Sequence, residues 1–248
     1  MSDETWLILG ASSAVARAFA REAGAHGARV ILAGRDLDDL DRQADDLRTR
    51  YEGAVTVLRF DALDGATHAG FVADCVAQAG GSLLHVFLAF GVMPDQAEAD
   101  ADPAVARHMI DANFTGAASI LAALAPVLEA QAGGSVVVLG SVAGDRGRKR
   151  NFLYGATKAA LLTYLQGYAA RLAKARVRVL CIKAGPIDTG MTWPLPKLPF
   201  MMSPQDFAAA AWQRARKGSG SLYLPGIWWP VMSIIRLLPT PIFNRLDI

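Results

Sequence analysis

Six short runs rich in Val, Ile and Leu recur along the chain, at residues 5–10, 29–34, 54–60, 83–89, 135–140 and 177–183. Several are apolar almost without interruption, the pattern of strands covered on both faces. Helix-like segments lie between them: an Ala-rich one at 14–26, a charged amphipathic one at 36–51, and others at 66–78, 102–130 and 152–174. Strand and helix alternating in this way predict right-handed βαβ units and a parallel, doubly wound α/β sheet with helices on both faces. No internal repeat or linker is visible, so residues 1–248 read as one domain, long enough to bury a large single core.

Composition narrows the classes. With 52% hydrophobic and 19% charged residues the chain is not a disordered protein. A net charge of +2, from 25 basic and 23 acidic residues, argues against nucleic acid as a partner. Cys75 and Cys181 lie in separate apolar segments and read as reduced core residues of a cytoplasmic protein. The start, MSDETWLILG, carries acids where a secretory signal needs bases. The apolar tail, 222–243, is interrupted by Pro225, Pro230, Pro239, Pro241 and Arg236, so a single spanning helix is not expected there. His26, His68, His85 and His108 have no metal-ligand spacing and read as structural or surface residues; no metal is expected.

The first run ends at Gly10, and Ala11-Ser12-Ser13-Ala14-Val15-Ala16 leads into a helix. A pyrophosphate needs a tight turn, close backbone approach and a helix N-terminus with free N–H groups. Gly10 can supply the turn, and Ser12 and Ser13 can cap the helix or donate to phosphate. Ala14 and Ala16 stand where a dinucleotide loop prefers glycine. The second run ends Gly34-Arg35-Asp36. Arg35 can hold a 2′-phosphate and tilts the expected cofactor, NAD(P)(H), toward NADP. Asp36 can reverse that preference through the ribose hydroxyls, or cap the next helix. The arrangement as a whole is Rossmann-type.

The chemistry is carried by a serine, a tyrosine and a lysine. Ser141 follows the fifth run, and Tyr154-Gly155-Ala156-Thr157-Lys158 opens the next helix. The i, i+4 spacing sets Tyr154 and Lys158 on one helix face. A free phenol, with a pKa of about 10, exchanges protons poorly at neutral pH, and a nearby ammonium favours its ionised form. Tyr154 can then give a proton to a carbonyl oxygen or take one from an alcohol, with Ser141 holding the same oxygen.

These residues resemble the catalytic set of the short-chain dehydrogenase/reductase family, and the resemblance spans nearly the whole chain. Ser141, Tyr154 and Lys158 match the family triad, and Asn113, in Asp111-Ala112-Asn113-Phe114-Thr115-Gly116, matches the asparagine that completes the tetrad. The resemblance implies that Lys158 also contacts the nicotinamide ribose and that Asn113 supports a proton-relay water. It implies adenine contacts from Asp61 and Ala62, and carboxamide contacts from the Ile187 backbone and Thr189 in the segment 185–189. Ala89-Phe90-Gly91 stands where the family usually has Asn-Ala-Gly beside the cofactor, and Gly10, Ser12, Ser13, Ala14 and Val15 form its phosphate loop. Helices like 102–130 and 152–174 form the family's dimer and tetramer interfaces, so a homodimer or homotetramer is expected.

Several motifs are similar to one branch of that family, the reductases of decaprenylphosphoryl-2-keto-arabinose in cell-wall arabinan synthesis. They are 60–64, 89–91, 141–152 and Pro239-Thr240-Pro241-Ile242-Phe243. That resemblance implies a lipid-linked keto-sugar as substrate and a flavin-dependent oxidase as partner. The basic run Arg146, Arg148, Lys149 and Arg150 can hold a phosphodiester, or is a solvated loop. The proline-rich segment 184–203 can be a substrate lid or an apolar loop packed on the body. The tail 222–248, with Trp228, Trp229, Val231, Met232, Ile234, Ile235, Leu237 and Leu238, can be an interfacial element contacting a membrane from the cytoplasmic side, or pack on the sheet or another subunit. Two other functions stay open: reduction of a soluble or acyl-chain ketone, and cofactor binding without catalysis.

Overall fold

The computed structural model describes residues 3–193 and 198–246. Residues 194–197 of the expected lid lie outside the described residues. In chain order the elements are β1 (Glu4–Leu9), α1 (Ala14–Ala25), β2 (Arg29–Gly34), α2 (Leu37–Arg50), β3 (Val55–Arg59), α3 (His68–Ala79) and β4 (Leu83–Leu88). There follow α4 (Gln96–Ala101), α5 (Pro103–Ile110), α6 (Gly116–Gln131), β5 (Ser135–Ser141), α7 (Phe152–Leu172), β6 (Arg178–Ala184) and α8 (Pro204–Ala215). The last are β7 (Gly220–Leu224), α9 (Trp228–Leu237) and α10 (Thr240–Phe243).

All seven strands form one parallel sheet in the order β3-β2-β1-β4-β5-β6-β7. The period of two along β1 divides the core. Trp6 and Ile8 face one layer with Phe19, Phe87, Phe207 and Trp212, under α1, α2 and α8. Leu7 and Leu9 face the other with Leu84, Ile120, Leu124 and Leu165, under α3, α6 and α7. The two buried cysteines are free thiols, pushed up by burial to about 12 at Cys75 and about 11 at Cys181, which makes them inert packing residues.

The helices start where local chemistry allows. Ser13 caps α1 by accepting from Ala16 N–H at 3.2 Å. Asp36 caps α2 by accepting from Asp39 N–H at 3.0 Å, with Asp38 and Asp39 in the first turn and Arg48 and Arg50 in the last, matching the helix dipole. Asp36 therefore takes the capping role.

Two expected element bounds are corrected. The segment 102–130 is α5 and α6 joined by a π-turn, Asp111–Thr115, with a separate α4 before it. Its apolar character is used in the core, where Ile120, Leu121, Leu124 and Leu128 are fully buried. The tail does not begin as an extension at 222, because Gly220–Leu224 is the edge strand paired with β6. Segment 184–203 is closed on itself by a bridge between Ile187 and Met202, and its last residue, Ser203, caps α8.

Candidate active site

Strand order reverses between β1 and β4, so the crevice beyond their carboxyl ends is the expected ligand position in such a sheet. Gly10 and Phe90-Gly91 meet there. Gly10 has φ +79°, and a Cβ on it would lie 2.7 Å from that of Phe90. A side chain at Gly91 would approach Asn113 Oδ1 to 2.9 Å and Lys158 Nζ to 3.5 Å. The lack of a side chain at both positions lets the ends of β1 and β4 pack closely beside the N-terminus of α1, where a dinucleotide is expected. Val15 and Ala89 direct their side chains into the core, leaving them only backbone contacts with a ligand. Phe90, in place of the usual alanine, packs against Phe60 with ring centroids 5.7 Å apart.

The turn expected to meet adenine, Asp61-Ala62, is held from below. His68 is buried, with Nε2 3.1 Å from the Asp61 carbonyl and Nδ1 2.9 Å from Ser119 Oγ. Asp61 accepts from Leu63 N–H at 3.0 Å, which shapes the Asp61-Ala62 turn. Arg35 is exposed at the end of β2, beside the phosphate loop. Arg17 pairs with Asp39 and donates to the Ser12 carbonyl, bracing that loop. The guanidinium also holds Asp39 below the usual carboxylate range.

The expected catalytic residues converge from three elements. Ser141 ends β5, and its Oγ accepts from Ala143 N–H at 3.1 Å, starting a 3₁₀ turn over Val142–Asp145. Its own hydroxyl hydrogen stays available for a substrate oxygen. Tyr154 and Lys158 lie on the first turns of α7. That helix can approach the turn closely because of two glycines: a Cβ at Gly155 would come 2.7 Å from the Ala143 carbonyl, and one at Gly144 would come 2.9 Å from Ala159 N. The Lys158 ammonium is buried, donates to the Leu139 carbonyl at 3.2 Å and lies 5.7 Å from the Tyr154 ring centre. Asn113 sits in the π-turn, a distortion often found at functional sites. Its side chain exchanges two hydrogen bonds with the Val92 backbone, at 2.7 and 2.8 Å, and donates to Thr157 Oγ1 at 3.2 Å. It thus clamps the β4 loop to α7, with both amide hydrogens engaged.

The short chain dehydrogenase family model matches residues 4–198. The chain belongs to this family. An uncharacterised oxidoreductase of Streptomyces coelicolor is 36% identical over 97% of this chain and 94% of its own, and one of Mycobacterium tuberculosis is 35% identical over 97% and 96%. Among solved structures, a short chain dehydrogenase/reductase family protein is 27% identical with a TM-score of 0.77, covering 90% of this chain and 95% of its own. A Mycobacterium paratuberculosis short chain dehydrogenase bound to NAD is 25% identical with the same TM-score, covering 90% and 96%. The protein is an NAD(P)-binding oxidoreductase of the CH-OH/C=O class.

This short chain dehydrogenase has features that residue spacing did not reveal. On the β5–α7 loop, Asp145 accepts from Lys183 Nζ at 2.6 Å and from the Tyr223 hydroxyl at 2.7 Å, a buried cluster joining the loop to β6 and β7. Burial alone would lower the Lys183 pKa, but the Asp145 contact outweighs it and raises the value. Arg146, one of the four expected phosphodiester ligands, points elsewhere. It donates to the carbonyls of Ile235 and Leu238 at 2.6 Å each, holding the end of α9. Trp228 lies so close over Gly185 that a Cβ there would meet its indole nitrogen at 2.0 Å, and that buried N–H has no acceptor. The start of the segment expected to meet the carboxamide is therefore covered by α9 at Gly185. Within it Thr192 Oγ1 donates to the Ile187 carbonyl at 2.6 Å and accepts from Thr189 N–H at 3.2 Å. No group of metal-ligating residues is found among the described residues.

Proposed function

We propose that the protein is an NAD(P)H-dependent carbonyl reductase in which Tyr154 is the general acid, acting on a keto group of a polyprenyl-phosphate-linked sugar. The observation that carries the reductase reading is the pressing of α7 onto the turn after Ser141, through Gly144 and Gly155, with Lys158 buried beside the Tyr154 ring. Bound NAD(P)H would supply hydride to the carbonyl carbon. Ser141 donates a hydrogen bond to the carbonyl oxygen, and Tyr154 gives that oxygen its proton. Lys158, anchored on the Leu139 carbonyl, keeps a positive charge beside the phenol as it becomes a phenolate. Gly10, Ser12, Ser13, Ala14 and Val15 would hold the pyrophosphate through backbone and hydroxyl groups. Arg35, exposed where a 2′-phosphate would lie, favours NADP.

The phosphorylated substrate is supported by Arg148. Its Nε is buried with no acceptor among the described residues, and its Nη2 faces Met232 Sδ at 4.0 Å. Burial lowers its pKa from the ordinary guanidinium value. The nearby Asp145 is already engaged by Lys183 and Tyr223. A half-buried guanidinium whose Nε lacks a partner, beside a carboxylate already engaged elsewhere, would be satisfied by a phosphodiester oxygen. A keto-sugar of this class requires an oxidase to make it, which is the place of a flavin-dependent partner. The outer face of α7, with Tyr164, Gly167, Tyr168 and Arg171 lining an open groove beside Phe114, suits a second copy of the chain.

The test is nicotinamide oxidation by the purified protein, with NADH and NADPH in parallel. Decaprenylphosphoryl 2-keto-pentose would be compared with a panel of soluble ketones. Turnover on the lipid-linked sugar, lost on Arg148→Met, supports the reading. Turnover only on soluble ketones leaves the chemistry and removes the substrate assignment.

A further inference from the structure

We infer that the C-terminal tail forms a cationic apolar surface that seats on an anionic lipid bilayer. A helix lying on a protein surface normally buries one apolar stripe and shows polar residues outward. In α9 the inward stripe is Trp228, Val231, Met232 and Ile235, packed on Val142 and Tyr223. The outward face is apolar as well: Trp229 is 64% exposed, Ile234 63% and Leu237 82%. Ile227 and Ile242 extend this face on either side, and Phe200 of the 184–203 segment joins it by an edge contact to Trp228 at 6.1 Å. A contiguous exposed patch of this kind marks an interaction surface.

Charge selects the occupant. Between Asp206 and Asp247 the chain has five basic residues and no acidic one. Two of the five, Arg236 and Arg245, are exposed within the patch. Aromatic and aliphatic residues with arginines at their margin match the bilayer interface, where indoles sit at headgroup depth and guanidinium groups reach up to phosphates. A two-fold contact of this face with a second copy would set Arg236 and Arg245 among their own equivalents, which like charges oppose. The patch is held at a defined angle, because Arg146 binds the carbonyls at the end of α9 and lies 3.8 Å from the Phe243 ring centre. Lipid contact would therefore act on the loop between Ser141 and Tyr154.

The inference stands on the surface alone and is tested without turnover. Flotation of the full chain is measured with vesicles of phosphatidylcholine alone and of phosphatidylcholine with phosphatidylglycerol. Binding to the anionic vesicles is expected, weakened by added salt. R236E combined with R245E is expected to reduce it by at least about thirtyfold, the effect of losing the two attractive charges alone. W229S combined with L237S is expected to abolish it. Nicotinamide cofactor binding, followed by fluorescence, should be unchanged in all variants and reports that they are folded. Absence of binding to anionic vesicles, or equal binding by the wild type and the R236E/R245E variant, would overturn the inference. So would a fall in solution mass of the W229S/L237S protein, which would assign the patch to a second copy of the chain.

Discussion

Arg146 stands over Phe243, its guanidinium carbon 3.8 Å from the ring centre, and so ties a loop in the middle of the chain to its last helix. The same side chain caps α9 through the carbonyls of Ile235 and Leu238. Charge-assisted bonds to carbonyls and a cation–π contact are the stronger members of their classes. Arg146→Ala should lower stability by about 2–3 kcal/mol in urea unfolding. Arg146→Lys should recover part of this, because one ammonium can still reach a carbonyl but lacks the planar fork.

Tyr154→Phe removes the hydroxyl and nothing else from the α7 face. Carbonyl reduction should fall about 10²–10⁴-fold, the range for loss of a general acid. Cofactor affinity, read by nicotinamide fluorescence, should change little. A Phe variant that kept its full rate would end the assignment of Tyr154.

Gly155→Ala tests the close approach that unites the site. The added methyl would stand 2.7 Å from the Ala143 carbonyl, so α7 must shift. A cost of about 1–3 kcal/mol is expected, as for other overpacked contacts, with a larger fall in kcat than in cofactor affinity. Steady-state kinetics and thermal melting together check this.

His85 predicts acid sensitivity. It is buried in β4 between β1 and β5, stacked on Trp6 at 4.7 Å, with neither ring nitrogen hydrogen-bonded among the described residues and Nε2 4.0 Å from the Glu4 carboxylate. Burial, aided by Arg178 and Arg216, pushes its pKa down to about 4. The unfolded chain protonates first, near pH 6.5, so the folded state loses stability as pH falls from there toward about 4. The loss approaches about 3 kcal/mol. His85→Phe should flatten this dependence in urea titrations between pH 7 and 4.5.

Asp145→Asn leaves the Lys183 ammonium buried without its carboxylate. A cost of about 3–5 kcal/mol is expected, as for breaking one side of a buried pair. Asp145→Asn combined with Lys183→Met should be less damaging than Asp145→Asn alone, which a double-mutant cycle measures.

The order of strands and helices was legible because periodicity is a local property. Buried parallel strands need unbroken Val, Ile and Leu runs, and capped helices need Ser or Asp just ahead of them. Ser141, Tyr154 and Lys158 were legible because two of them share a helix face and the third ends a strand. The edge strand β7 escaped because Gly220-Ser221-Leu222-Tyr223-Leu224 is short and runs straight into the apolar tail. The π-turn at Asn113 escaped because its residues have ordinary helical composition.

Local pattern by itself thus determined six of the seven described strands and the helices between them, and set a serine at a strand end ahead of a tyrosine and a lysine on one helix face. Only the tertiary structure decided what the residues around that site do. Arg146 became a clamp on α9 instead of a substrate ligand, and Trp228 the roof over Gly185. These roles depend on contacts between segments tens of residues apart, and the same charged or aromatic side chain serves equally well in either role until the fold brings its partner near.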